Sequence, residues 1–162
     1  MNATSNKGLT HRHSGAQFIA LLLAVLFTSQ IYAGGWSVKD TQGVKYKLAD
    51  QKGKWVVVNF WAPWCPPCIA ELPELNALQQ QHKDILVIGV SVQYKRKQEV
   101  TDMVQKLAVT YPIVYGDEDT AADFGGIEGL PTTFLYSPDG KLVNKQDGPV
   151  TQQAIEQAML QK

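Results

Sequence analysis

A seven-residue run at 55–61, apolar except for Asn59, leads directly into the only two cysteines of the chain, at positions 65 and 68. An apolar run of this length is typical of a strand that is buried on both faces of a sheet. Pro66 and Pro67 fit only the first turn of a helix, because they lack the N–H groups that later turns require. We therefore expect a central strand, then a helix, with both cysteines at the helix N-terminus.

This placement favours a redox role for Cys65 and Cys68. Unpaired N–H groups and the helix dipole stabilise a thiolate at a helix N-terminus. Two sulfurs one helical turn apart can also open and close a disulfide with little backbone movement. We expect Cys65, at the more exposed end, to attack a substrate disulfide. Cys68, one turn into the helix, should then resolve the mixed disulfide.

Other interpretations of the cysteine pair have less support. A structural crosslink between residues three apart closes a minimal loop and adds little stability. A copper or metal chaperone, the alternative function, would use the same two thiolates but needs further ligands. After residue 33 the chain offers only His82, Met103 and Met159, far away in sequence. A peroxidase would need a threonine shortly before the reactive cysteine, and residues 62–64 contain none.

The two residues between the cysteines predict the direction of electron flow. Both are prolines, so neither supplies an N–H group to the sulfur of Cys65. A less stabilised thiolate makes the disulfide a weaker oxidant. We therefore expect a reduction potential nearer to about −270 mV than to about −120 mV.

Residues 1–33 are typical of an export signal. They contain Lys7 and Arg12, no acidic residue, and an apolar stretch at 18–27. Cleavage after Ala33 would leave 34–162 as the mature domain, and an uncleaved membrane anchor is the alternative. Either way we expect a periplasmic protein, soluble after cleavage or tethered to the inner membrane.

Composition adds limits on domains and partners. A chain of 162 residues with 44% hydrophobic residues suits one globular domain behind the N-terminal segment. Lysine plus arginine equal aspartate plus glutamate at 15 each, so we expect no nucleic-acid partner. We also expect a monomer.

Sequence patterns after the N-terminal segment predict alternating strands and helices. This order predicts an α/β fold with a central mixed sheet flanked by helices. We expect an N-terminal β-hairpin at 36–48 on the sheet edge, strands at 55–61, 85–91, 112–115, 129–136 and 141–145, and helices beginning at 66, 98, 117 and 151.

Three residues outside the cysteine pair invite functional interpretation. Glu71 follows Cys68 by three residues and so shares its helix face, where it would either exchange a proton with the buried thiol or remain a solvated glutamate. Asn59 is predicted to be a hydrogen-bonded core amide, because an amide cannot act as a base. Pro131 enters a strand, and its own sequence context favours a trans peptide bond.

The segments 61–68, 71–73, 129–134 and 137–140 together resemble the TlpA/ResA branch of exported thioredoxin-like proteins in the AhpC/TSA-redoxin superfamily. This resemblance implies a thioredoxin-like fold for the chain from about Val44 onward. It assigns Cys65 as nucleophile, Cys68 as resolving cysteine, Glu71 as active-site acid, Pro73 as helix-kinking proline, Pro131 as a cis-proline facing the disulfide, and Trp64, Pro66, Leu130 and Pro131 to the substrate site.

The same resemblance implies a function. Such proteins are thiol-disulfide oxidoreductases that reduce disulfides of other exported proteins, apocytochrome c among them. Their redox-active disulfide needs no other cofactor, and a membrane thiol reductant upstream supplies the electrons. Ordinary thioredoxins have a buried aspartate where this chain has Asn59, so the resemblance directs proton transfer through Glu71.

Overall fold

The apolar run forms the central strand of a five-stranded sheet, and every residue of this strand is buried. The computed structural model describes residue 1 and residues 35–161. The elements in chain order are β1 (Ser37–Lys39), β2 (Lys45–Lys47), a short 3-10 helix (Leu48–Gln51), β3 (Trp55–Trp61), α1 (Pro66–Gln81), β4 (Ile85–Ser91), α2 (Lys97–Lys106), β5 (Ile113–Tyr115), α3 (Glu118–Asp123), β6 (Thr132–Tyr136), β7 (Leu142–Asp147) and α4 (Gln152–Leu160).

The main sheet is mixed, as the sequence predicts. Its strand order is β5-β4-β3-β6-β7. Strand β3 pairs in parallel with β4 and antiparallel with β6, while β5 extends the parallel half and β7 extends the antiparallel half. Strand β7 is the outer strand of this sheet, and all of its side chains are exposed.

Alternate residues of β3 point to opposite faces of the sheet and belong to two separate cores. On one face Val57 and Trp61 pack with the cysteines, with α1 and with Ile155 of α4; we call this the disulfide face. On the other face Val58 and Phe60 pack with aromatic residues; we call this the aromatic face. The aromatic residues there are Trp36, Phe60, Phe124, Phe134 and Tyr136.

The N-terminal hairpin forms as predicted, and its turn lies beside β5 at one edge of the main sheet. Strands β1 and β2 make a separate two-stranded antiparallel sheet. The backbone N–H of Thr41, in the turn between them, donates to the carbonyl of Ile113 in β5 at 2.7 Å. Trp36 and Val38 are buried on the aromatic face, so the hairpin closes that core instead of extending the sheet.

Helix α1 begins at Pro66 and continues through Pro73 to Gln81. Its buried residues recur at helical spacing on one side, at Cys68, Glu71, Leu72, Leu75 and Leu78. Helix α1 thus begins shortly after the end of β3, and the two cysteines lie at its N-terminus.

Thr151 caps α4 as predicted, because its side chain accepts from the backbone N–H of Ala154.

The chain divides into two units, residues 1–33 and 34–162. Apart from Met1, the segment interpreted as an export signal lies outside the described residues, so the signal and its cleavage site stay predictions. Within the part that the structure describes, no helix is both long and apolar enough to cross a membrane.

Candidate active site

Cys65 and Cys68 are joined by a disulfide, with their Cα atoms 5.3 Å apart. Cys65 is the N-cap residue of α1, and its side chain accepts no capping hydrogen bond. The exposed fraction is 4% for Cys65 and 0% for Cys68. The predicted difference in exposure is therefore present but small, and both sulfurs belong to the core of the disulfide face.

The first turn of α1 carries Pro66 and Pro67, both exposed. Neither residue has an N–H group, so two of the donors that a helix N-terminus usually presents are missing beside Cys65. Trp64 lies directly before the pair and is 58% exposed. Its ring N–H donates to the backbone carbonyl of Gln93 at 2.8 Å, which fixes the indole on the loop after β4.

The carboxyl of Glu71 is buried, and the alternative of a solvated glutamate is therefore wrong. Only 3% of the residue is exposed. Oε1 accepts from the side-chain amide of Asn59 at 2.7 Å, and Oε2 accepts from the backbone N–H of Val150 at 2.8 Å. Burial raises the pKa of Glu71 from 4.5 to about 7, although both hydrogen bonds act to lower it. The group therefore titrates near neutral pH.

Asn59 is a hydrogen-bonded core amide, as predicted. It is fully buried on β3, and its Nδ2 donates both to Glu71 and to Oγ1 of Thr133, the latter at 3.0 Å. Thr133 stands directly opposite Asn59 in the pairing of β3 with β6. These residues and the N–H of Val150 form a polar network inside the disulfide face.

Sequence reasoning missed Thr133, Val150 and Tyr111 as neighbours of this network. The pKa of Tyr111 is raised first by burial and then by the charge of Glu71. Thr133 could have been found from the β3–β6 register. Val150 contributes only a backbone N–H and Tyr111 precedes β5, so no side-chain pattern pointed to either residue.

The segment before β6 supplies the other residues of the predicted substrate site. The Leu130–Pro131 peptide bond is cis, as the resemblance implied and as the local sequence alone did not. Pro131 is buried, and Leu130 is half-buried and packs against both cores. The residues that follow, from Thr132, form β6 next to β3.

The residues considered as further metal ligands have other partners. Nε2 of His82 lies 2.9 Å from Oε1 of Glu156. Met103 and Met159 pack against the core of the disulfide face. Among the described residues, no group of three or more His, Cys, Asp or Glu side chains is arranged to hold a metal ion.

A family profile of known proteins matches residues 32–145, and its description is the AhpC/TSA family. The chain belongs to the AhpC/TSA family. Relatives named thiol-disulfide oxidoreductase ResA are 32–35% identical to the chain, which is therefore of the ResA type and is a thiol-disulfide oxidoreductase. The resemblance found in the sequence is confirmed.

Relatives and solved structures agree with this assignment. The thiol-disulfide oxidoreductase ResA of Geobacillus thermodenitrificans is 35% identical over 124 residues, which cover 74% of this chain and 70% of the relative. ResA of Bacillus subtilis is 34% identical over 130 residues, 78% of this chain and 72% of the relative. The crystal structure of a DsbF homologue from Corynebacterium diphtheriae matches with a TM-score of 0.71 and 28% identity, covering 80% of this chain and 85% of that one.

Proposed function

We propose that this oxidoreductase is exported and reduces disulfides of other exported proteins, apocytochrome c among the candidates, through the Cys65–Cys68 dithiol. The observation that carries the proposal is the Cys65–Cys68 disulfide at the start of α1 with the carboxyl of Glu71 buried one turn further along the helix. This arrangement combines an electron carrier with a group that can hold a proton near neutral pH.

The proposed reaction begins with the reduced dithiol. The thiolate of Cys65 attacks one sulfur of the substrate disulfide, forms a mixed disulfide and releases the other sulfur as a thiolate. Cys68 transfers its proton to Glu71, and its thiolate then attacks the sulfur of Cys65. The Cys65–Cys68 disulfide forms, the second substrate sulfur leaves, and two electrons have passed to the substrate. A membrane thiol reductant is proposed to restore the dithiol, without any bound cofactor.

The direction of transfer is proposed from the first turn of α1. Pro66 and Pro67 offer no N–H group to the sulfur of Cys65, and that side chain accepts no capping bond. The thiolate is therefore less stabilised than in a turn that carries such donors, and the dithiol is a better reductant. We propose a potential nearer to about −270 mV than to about −120 mV.

The substrate is proposed to lie over Cys65 between Trp64, Pro66 and the Leu130–Pro131 segment. Trp64 offers a large exposed apolar surface, and its hydrogen bond to Gln93 holds that surface in place. Location in the periplasm, whether soluble or tethered, and a monomeric state are parts of the same proposal.

Trapping of the substrate tests the function. Cys68→Ser removes the resolving thiol, so the mixed disulfide on Cys65 should accumulate in cells and be identified by mass spectrometry after reduction. The double variant Cys65→Ser/Cys68→Ser is the matched control and should trap nothing. Exported proteins released only from the single variant support the proposal. The absence of any such species, or a measured potential near that of strong oxidants, would contradict it.

A further inference from the structure

Burial alone would hold Glu71 in its protonated form. Its carboxyl is enclosed between α1, β3 and the backbone at Val150, and removal from water disfavours the charged state. A carboxyl that never loses its proton cannot accept one from Cys68. Repeated proton transfer therefore requires groups that favour the ionised form of Glu71.

Asn59 is placed to favour the ionised form of Glu71. Its Nδ2 donates to Oε1 of Glu71 at 2.7 Å and also to Oγ1 of Thr133 at 3.0 Å. Asn59 and Thr133 face each other across the β3–β6 pair. The amide is thus anchored by the sheet and not by the helix that carries Glu71.

The two donors to Glu71 differ in origin. Val150 uses its backbone N–H, which nearly any residue at that position would provide. Asn59 uses its side chain, so its contribution depends on the residue type. N–H groups that point at a carboxylate favour its ionised form, and both bonds lower the pKa of Glu71 against the larger effect of burial. Among the described residues, Asn59 is the side chain that opposes burial.

We propose that Asn59, backed by Thr133, is the positioning residue of Glu71: it fixes Oε1 and favours the ionised carboxylate, so that Glu71 returns to a base after each proton transfer. This inference rests on the proposed role of Glu71 as proton carrier. Two other titratable groups belong to the same core as the carboxyl. Cys68 lies one turn earlier on α1, and Tyr111, which precedes β5, has its pKa raised partly by the charge of Glu71.

The experiment follows the titration of Glu71 directly in the full-length protein. The side-chain carboxyl carbon is observed by carbon-13 NMR, and its resonance is assigned by its loss in Glu71→Gln. Asn59→Leu keeps the branched shape of the side chain but has no donor, so the titration midpoint should rise from about 7 by about one pH unit. Asn144→Leu makes the same replacement on the exposed strand β7 and should leave the midpoint unchanged.

Thr133 provides a second, gentler test. Thr133→Val removes the hydroxyl that holds the amide, and we expect a smaller rise of the midpoint. Thr133→Ser keeps the hydroxyl and should titrate like the wild type. Folding of each variant is checked by circular dichroism. If Asn59→Leu does not fold, Thr133→Val and Thr133→Ser test the role of Asn59 in its place.

Failure of this inference and failure of the proposed function give different results. The proposed function also predicts that Glu71→Gln alters the pH dependence of cysteine alkylation by iodoacetamide in the reduced protein. An unaltered alkylation profile in Glu71→Gln would overturn the role of Glu71. An altered profile in Glu71→Gln, together with a wild-type midpoint in folded Asn59→Leu or in Thr133→Val, would overturn the role of Asn59 alone.

Discussion

The two faces of the central sheet are both closed to solvent, yet they bury different chemistry. The aromatic face holds rings in edge and stacked contacts, such as Phe60 with Phe124 at 5.2 Å between centroids. The disulfide face holds the cysteine pair, a carboxyl and an amide among its apolar side chains. Strand β3 contributes to both faces: Phe60 stabilises the aromatic core, and Asn59 donates to the carboxyl of Glu71 on the disulfide face.

The residues of the candidate active site lie on one face of the sheet, and the aromatic residues that only stabilise the fold lie on the other. Removing an apolar group from either core costs free energy of folding. A change in the polar network alters the proton affinity of Glu71 as well, because burial and hydrogen bonds compete there. Three predictions break or sharpen the comparison.

The largest effect on stability is expected for Phe60→Ala on the aromatic face. Phe60 is fully buried and makes edge contacts with Phe124 and Phe134. The cavity should reduce the free energy of unfolding by roughly 3–5 kcal/mol, measured by urea titration. The reduction potential and the pH dependence of alkylation should stay as in the wild type. A shift of that profile as large as the one in Glu71→Gln would show that the two faces are not independent.

The second effect is the pH dependence of stability in the oxidised protein. The pKa of Glu71 is raised on folding, so the folded state holds this proton more tightly than the unfolded state. The stability from that proton is complete below about pH 4.5 and is lost as pH rises through about 7. Relative to Glu71→Gln, the wild type should lose about 3 kcal/mol between pH 4.5 and 8, measured by urea unfolding.

The matched control is Glu74→Gln, which replaces an exposed glutamate of the same helix. This variant should retain the pH-dependent loss seen in the wild type. Parallel stability curves for the wild type and Glu71→Gln would contradict the buried, neutral-titrating carboxyl.

The smallest effect is expected at the helix caps. Thr151→Ala removes the bond from the N–H of Ala154 and should cost about 1 kcal/mol of stability. Thr151 follows Val150, whose N–H donates to Glu71, so a frayed start of α4 should also raise the midpoint of Glu71 slightly in carbon-13 NMR. Asp117→Ala removes the corresponding cap of α3, which packs on the aromatic face, and should destabilise without moving that midpoint.

Much of the fold follows from local sequence patterns, but the position of the N-terminal hairpin depends on long-range packing. The buried run at 55–61 and the prolines at 66 and 67 allow only a strand and a helix start, and the structure has both. The hairpin at 36–48 follows from its alternating residues and its Gly-containing turn. What decides its position is long-range packing of Trp36 on the aromatic core, which no spacing within the hairpin encodes.

The site divides in the same way. Cys65 and Cys68 are identified by spacing alone, and the buried Asn59 by its place within an apolar run. Whether Glu71 is buried depends on what covers α1, namely the segment at Val150 from the far end of the chain. The cis bond at Pro131 came from resemblance, since the residues around it favour trans.

The outer strand β7 has a consequence for self-association. Every side chain of this strand is exposed, and among the described residues no strand pairs with its outer edge. Open edges of this kind are templates for pairing with other chains, and charged residues along them oppose such pairing. Lys145 and Asp147 place both signs of charge on this strand. The outer strand of the sheet therefore carries charges that oppose edge-to-edge pairing with a second chain.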